Sequence, residues 1–346
     1  MRLGLYSSVW VCLLGVCLPA LGCNAAEDSS ATQADENAPN ATPVSLKEAI
    51  AAIDLRTFPM MDGATRRENS PAGAHFSVPN GTVADATAFA RGKLEALGWK
   101  TSADAKLTTI NDFGAQMLFT KNGQRLYAAI GVSPADKNLN FALFHLGNTD
   151  ARKLPHVAGA EFTDSIPSRT ICTTSAKPDD VQKALRPLFA PLGWREYRDP
   201  PIRGMESFVR EDRSLKFLQN GTAIDVTIMP VSGKTNIYTT VRLFKEQWPI
   251  DPSAVMIEFQ EDPLFLFYPT KLSLDESVEF NRRELTALGL KERKITGEPS
   301  KTEFKATFDA PDGKPIKLEV VRNQDLTFVM LRPWTDEDDK AAGDKK

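Results

Sequence analysis

Phe89-Ala90-Arg91-Gly92-Lys93-Leu94-Glu95-Ala96-Leu97-Gly98-Trp99 recurs as Phe280-Asn281-Arg282-Arg283-Glu284-Leu285-Thr286-Ala287-Leu288-Gly289-Leu290, with Phe, Arg, Leu, Ala, Leu and Gly in register. A looser copy runs Arg186-Pro187-Leu188-Phe189-Ala190-Pro191-Leu192-Gly193-Trp194. The three glycines stand 95 and 96 residues apart, a period too long for a solenoid unit and suited to a small domain. Each copy reads as a helix stopped by glycine. The glycine takes the left-handed conformation, and the apolar residue after it (Trp99, Trp194 or Leu290) folds back on the last turn. Ser273 with Glu276 makes a capping box for the third helix, whose Val278, Leu285 and Leu288 share a face. Pro178 fits the first turn of the second helix, and Pro187 is expected to kink or shorten it.

Outside these helices the pattern turns to strands. His75-Phe76-Ser77-Val78, Arg169 to Thr174 and Leu264 to Tyr268 precede the helices. After them, Phe119 to Gly123 and Phe217 to Gly221 spell a Phe-x-x-Asn-Gly hairpin, and Asp309 to Gly313 offers a longer turn. Asn-Gly suits a type I′ turn because both central residues need positive φ. Asn138 to Leu146, Asn236 to Phe244 and Asp325 to Leu331 close the units. The unit is therefore β-α-β-β-β, and the chain is predicted to be α+β. It holds three tandem modules over residues 45–152, 156–249 and 253–334, each a mostly antiparallel sheet covered by one helix.

Residues 1–22 read as an export signal: Arg2 is the basic start, and Val9 to Leu18 is an apolar run too short to span about 30 Å of hydrocarbon. Ala20-Leu21-Gly22-Cys23 resembles the lipobox of bacterial lipoproteins, although Ala20 stands where Leu is usual and Leu21 where a smaller residue is usual. The resemblance implies that Cys23 is diacylated and becomes the new N-terminus, with its acyl chains as the membrane partner. Asn24, which is not the Asp that retains such lipoproteins at the inner membrane, slightly favours outer-membrane placement. Cleavage without lipid, giving a secreted protein, is the alternative. Residues 23–44 are polar and acidic without Leu, Ile or an aromatic residue, Val44 excepted, and are expected to form a flexible tether reaching about 25 Å r.m.s.. Residues 335–346 are expected to be a solvated polar tail.

Among 346 residues, 42 Lys and Arg face 45 Asp and Glu, so no cationic excess points to nucleic acid. Of four cysteines, Cys12 and Cys17 leave with the signal and Cys23 carries lipid. Cys172 remains, so stability rests on apolar packing even in an oxidising compartment. His75, His145 and His156 form no metal-ligand spacing, and His145 alternates with Phe141 and Leu143 as a residue on a half-buried strand face. Ser232-Gly233-Lys234-Thr235 imitates the end of a phosphate-binding loop, but Ile228 occupies the position of its first glycine, so the segment reads as a turn. No G-x-S-x-G elbow occurs. Glu258-Phe259-Gln260-Glu261-Asp262-Pro263 reads as a solvated strand end, and Cys172 as a small buried hydrophobe. Arg66-Arg67 and Arg282-Arg283 read as solvated pairs, and the Asn40, Asn80 and Asn220 sequons are discounted in a bacterial chain.

These readings lead to an expectation without catalytic, cofactor-binding or metal residues and with one modification site, Cys23. The expected function is a lipid-tethered envelope protein whose repeated modules bind or scaffold an envelope protein or glycan, since copies of one unit multiply surface. The alternative is an exported envelope hydrolase with its site in a groove between modules.

Overall fold

Three copies of one hairpin-helix-meander unit make up the fold. The computed structural model describes residues 42–335 and 338, except 104–106, 201–213, 246–247, 262, 296–299 and 312. Cys23, the export signal and the tether up to residue 41 lie outside the described residues. The first module contains helix α1 (Leu46–Ala52), strands β1 (Thr65–Ser70) and β2 (Gly73–Val78), and helix α2 (Val83–Ala96). It continues with strands β3 (Lys100–Thr101), β4 (Thr108–Asn111), β5 (Gly114–Lys121), β6 (Gln124–Val132) and β7 (Leu139–Gly147). The second holds β8 (Glu161–Ile166), β9 (Arg169–Thr174), α3 (Pro178–Phe189), β10 (Arg195–Tyr197), β11 (Ser214–Gln219), β12 (Thr222–Val231) and β13 (Lys234–Leu243). The third holds β14 (Glu258–Glu261), β15 (Leu264–Thr270), α4 (Leu274–Ala287), β16 (Lys291–Ile295), β17 (Glu303–Asp309), β18 (Pro315–Asn323) and β19 (Leu326–Pro333).

The three sheets share one strand order: β1-β2-β7-β6-β5-β3 with β4 beside β5, then β8-β9-β13-β12-β11-β10, then β14-β15-β19-β18-β17-β16. Every pairing within them is antiparallel. The α+β class and the threefold repeat of antiparallel sheets are as the sequence predicts, but each unit holds more strands than β-α-β-β-β. A leading strand (β1, β8 or β14) pairs with the strand before the helix, and a short strand (β3, β10 or β16) follows the helix. These strands lie at the sheet ends, with a strand of their own sheet on one flank, so their sequences need not alternate. Bulges at Arg66/Glu68, Phe162/Asp164 and Glu292/Lys294 twist three of them, a common guard against edge-to-edge aggregation.

Local chemistry explains the helices and turns. Ser273 and Glu276 form the expected capping box, and Ser45 with Glu48 builds another on α1. Helix α3 begins on Pro178 and carries Pro187 to Phe189, then tightens into a 3-10 turn over Ala190–Leu192. It has 12 residues where α2 and α4 have 14, the expected shortening. Gly98, Gly193 and Gly289 take φ of 80°, 83° and 86°. The N–H groups of Trp99, Trp194 and Leu290 then return to the carbonyls of Leu94, Phe189 and Leu285 at 3.0, 3.3 and 3.0 Å. Asn122-Gly123 and Asn220-Gly221 have positive φ at both positions, as a type I′ hairpin requires.

Alternation along each strand sends one set of side chains under the helix. Leu126, Ala128 and Ile130 of β6 join Leu94 and Trp99; Ile224 and Val226 of β12 join Val181 and Phe189; Leu318 and Val320 of β18 join Leu285 and Leu290. On α4, Val278 and Leu285 are buried but Leu288, at the C-cap, is exposed. His145 is buried beside Trp99, with ring centroids 5.8 Å apart, and Cys172 is buried in the second core. Ser232-Gly233 is the β12–β13 turn.

Two solvated readings are corrected. Arg66 is half-buried and donates to the carbonyls of Phe58 and Leu55 at 2.6 and 3.3 Å, pinning the chain ahead of β1. Asp338, in the supposed solvated tail, is buried and bonded to Lys317, Arg332 and Thr335. Composition marked both segments as polar, and polar side chains enter when donors and acceptors there satisfy them.

Candidate functional site at the junctions between modules

An aspartate turn that the sequence reading missed precedes the leading strand of each module. Asp54 Oδ1 accepts from Arg56 N at 3.0 Å, Asp150 Oδ1 from Arg152 N at 3.0 Å, and Asp251 Oδ1 from Ser253 N at 2.7 Å. Leu55 N, Ala151 N and Val255 N then bond the carbonyls of Pro71, Pro167 and Pro269. The signal was legible: Asp54-Leu55-Arg56-Thr57-Phe58-Pro59 and Asp150-Ala151-Arg152-Lys153-Leu154-Pro155 share Asp-x-Arg-x-apolar-Pro at a spacing of 96. Asp150 and Asp251 are buried, the first bound by Arg152 at 2.7 Å with Arg125 at 3.5 Å. Burial alone would raise the Asp150 pKa, but the bond from Arg152 and the charge of Arg125 bring it below the usual carboxylate range.

At the first junction the covering contacts are largely apolar. Leu118 and Tyr127, on the helix-free face of the first sheet, pack with Leu107 and Leu146 against Ile166 at the tip of the β8–β9 hairpin. Leu46 and Ala49 of α1 meet Ala72 and Leu243, the last residue of β13. Asn148 accepts from Val44 N at 2.8 Å and donates to Thr42 O at 3.0 Å, and the Asn220 amide donates to Pro43 O at 3.2 Å. Residues 42–44 are thus strapped across the first two modules.

The second junction is built from strand edges and charge. Arg198 N donates to Ile257 O at 3.0 Å and Phe259 N to Arg198 O at 2.9 Å, so the end of β10 meets β14 as a parallel bridge. Phe259 inserts between Tyr197 and Phe244, with ring centroids at 6.1 and 4.8 Å. Arg242 lies over Phe244 and binds Asp225 at 3.1 Å and Glu261 at 2.5 Å, while Lys245 N donates to the other Glu261 oxygen at 2.6 Å. Glu258 receives Arg198 at 2.6 Å. The acidic stretch at 258–261 is therefore an engaged strand rather than a solvated end, because cations of the preceding module face it.

The chemistry of this cluster is cohesive. Burial would lower the Arg242 pKa, but Asp225, Tyr197 and Glu261 raise it on balance, so the guanidinium stays charged. Burial and then Asp225 push the Tyr197 phenol far above its ordinary value, so it remains neutral and can donate to Asp225 at 3.4 Å. Both carboxylates are held by one cation. His75 and His145 lie in module 1, and His156 meets Phe162 edge to face in module 2, so the structure does not bring the histidines to this junction. Among the described residues, no group of three or more His, Cys, Asp or Glu is placed to hold a metal ion. A depression of about 540 Å³ beside α4 is lined, among the described residues, by that helix alone, from Asp275 to Thr286. No helix among the described residues is long and apolar enough to cross a membrane.

A scan of the chain against models of known protein families returns no match, and a search of curated proteins finds no relative.

Proposed function

We propose that the chain is an exported lipoprotein, anchored through acyl chains on Cys23, whose three modules bind or scaffold another component of the cell envelope. The observation that carries the scaffolding half is the way the copies join. Phe259, Tyr197 and Phe244 link the cores of the second and third modules, while α1 and Leu243 link the first two. Three sheets joined in this way present repeated surfaces in fixed relation, which suits multivalent contact better than three bodies on linkers. Residues 42–44, where the tether ends, are held at the first junction rather than at an outer tip.

Intact mass and membrane fractionation of the native protein beside Cys23→Ala test the anchor. The expected result is a mature chain beginning at Cys23 with added acyl mass, and loss of membrane association in the variant. An unmodified chain free in the medium would overturn it. Crosslinking in intact cells tests the scaffold, with a reproducible envelope protein or glycan adduct expected.

A further inference from the structure

We infer that the end of the third sheet is a docking socket for an acidic edge strand of a partner polypeptide, and that Asp338 fills this socket within the chain. The inference rests on the binding half of the proposed function and is independent of the lipid anchor.

The socket is a repeat of the one at the second junction. In the second sheet Ala223 pairs with Arg242, and Asp225 lies two residues along β12. In the third sheet Lys317 pairs with Arg332, and Glu319 lies two residues along β18. Arg242 and Arg332 thus occupy one position, as do Asp225 and Glu319. Arg242 and the N–H three residues on, at Lys245, hold Glu261, a carboxylate from the next module's leading strand. Arg332 and the N–H three residues on, at Thr335, hold Asp338 by the same two kinds of donor: Arg332 Nη1 at 2.7 Å and Thr335 N at 2.9 Å. Lys317 Nζ adds a bond at 2.7 Å and Thr335 Oγ1 another at 3.0 Å.

One of the aromatic neighbours is repeated as well. The helix-free face of the second sheet offers Tyr197 and Phe244 to the incoming Phe259. On the same face of the third sheet Trp334, two residues past Arg332 as Phe244 is two past Arg242, lies under Lys317. Both preceding sheets have the next module against this face. At the third, Asp338 is the carboxylate bound there among the described residues. The repeat therefore specifies the chemistry of the partner: a Glu or Asp on an exposed strand with an aromatic residue two positions before it, as in Glu258-Phe259-Gln260-Glu261.

The test uses the full chain and a synthetic peptide with the sequence of residues 256–263, followed by the anisotropy of a fluorophore on the peptide N-terminus. Asp338→Asn, which removes the internal carboxylate charge, is expected to bind the peptide at least tenfold more tightly than the native chain. Adding Arg332→Gln, or replacing the peptide's final Glu by Gln, is expected to abolish that gain. Equal binding by the native chain and Asp338→Asn would overturn the proposal and leave Asp338 as a structural clasp. Self-association of Asp338→Asn without peptide would also overturn it, giving the socket to a second copy. Carbodiimide coupling on the native chain supplies a measurement that does not depend on the variants folding. Excess peptide should replace the internal Lys317–Asp338 crosslink by a Lys317–peptide crosslink, and persistence of the internal one at every peptide concentration would count against displacement. Failure of these tests leaves the acyl mass at Cys23 unaffected, so the anchor and the socket fail separately.

Discussion

The two junctions join copies of one unit by different physics. Between the first and second modules, apolar side chains cover a sheet face, and the buried carboxylate, Asp150, is satisfied within its own turn and by Arg125. Between the second and third, a strand edge meets a strand edge, an aromatic residue is inserted, and Arg242 holds carboxylates from both modules. The position that carries Arg242 in the second module is Gly147 in the first, opposite Arg125. A side chain on Gly147 would press on Val44 and Leu243 at 3.3 and 3.5 Å, so the strap occupies the space that a cation takes in the next copy. At this equivalent position the first junction has a glycine packed under the strap and the second has the guanidinium that holds Asp225 and Glu261.

The largest expected effect is at the aromatic insertion. Phe259→Ala removes a buried ring that touches two others and should cost about 3–5 kcal/mol, read as a lower urea midpoint. A loss below about 1 kcal/mol would show that the strand bridge and ion pairs hold the second junction without it.

Acid should strike next, on the first-module side. Buried His145 accepts from Gly147 N at 3.0 Å through Nδ1, and burial lowers its pKa from 6.5 to about 4. The unfolded chain takes up this proton near pH 6.5 and the folded chain only near 4. Stability should therefore be intact above 6.5 and fall progressively to pH 4, by roughly 3 kcal/mol. Urea titrations from pH 7.5 to 4 measure it, and His145→Gln should flatten the slope over that window. Asp150, whose pKa is lowered, contributes in the other window: its stabilisation is present above the unfolded carboxylate value near 3.8 and lost below it.

Smaller effects separate the junctions by salt. Glu261→Gln should cost about 1 kcal/mol at low ionic strength and less in about 1 M salt, because its partner Arg242 is partly solvated. Asn148→Ala, which releases the strap, should cost about 1 kcal/mol with little salt dependence. Equal salt dependence of the two variants would contradict the division into an ionic and an apolar junction.

Much of each unit was legible because its signals are local. Glycine stops a helix wherever the next residues can satisfy its last carbonyls, Asn-Gly turns a hairpin by its own φ preferences, and Ser273 with Glu276 caps within four residues. The leading strands were not legible because pairing on one side asks for no alternation. Thr65 to Ser70 is wholly polar, yet it pairs along its length with β2. The junction groups were hidden for another reason. Glu261 is 19 residues from Arg242 and Asn220 is 177 from Pro43, and no periodicity links such partners.

The sequence by itself determined the α+β repeat, the helix stops and hairpin turns, and the burial of His145 and Cys172. Each follows from backbone preference or the pattern of apolar residues within one element. The tertiary structure decided which carboxylates are engaged. Glu258, Glu261 and Asp338 look like solvated acids in the chain, and packing brings Arg198, Arg242 and Arg332 to them. A charge enters a partly buried place only with its partner, and partners far apart in sequence are chosen by the way whole sheets come together.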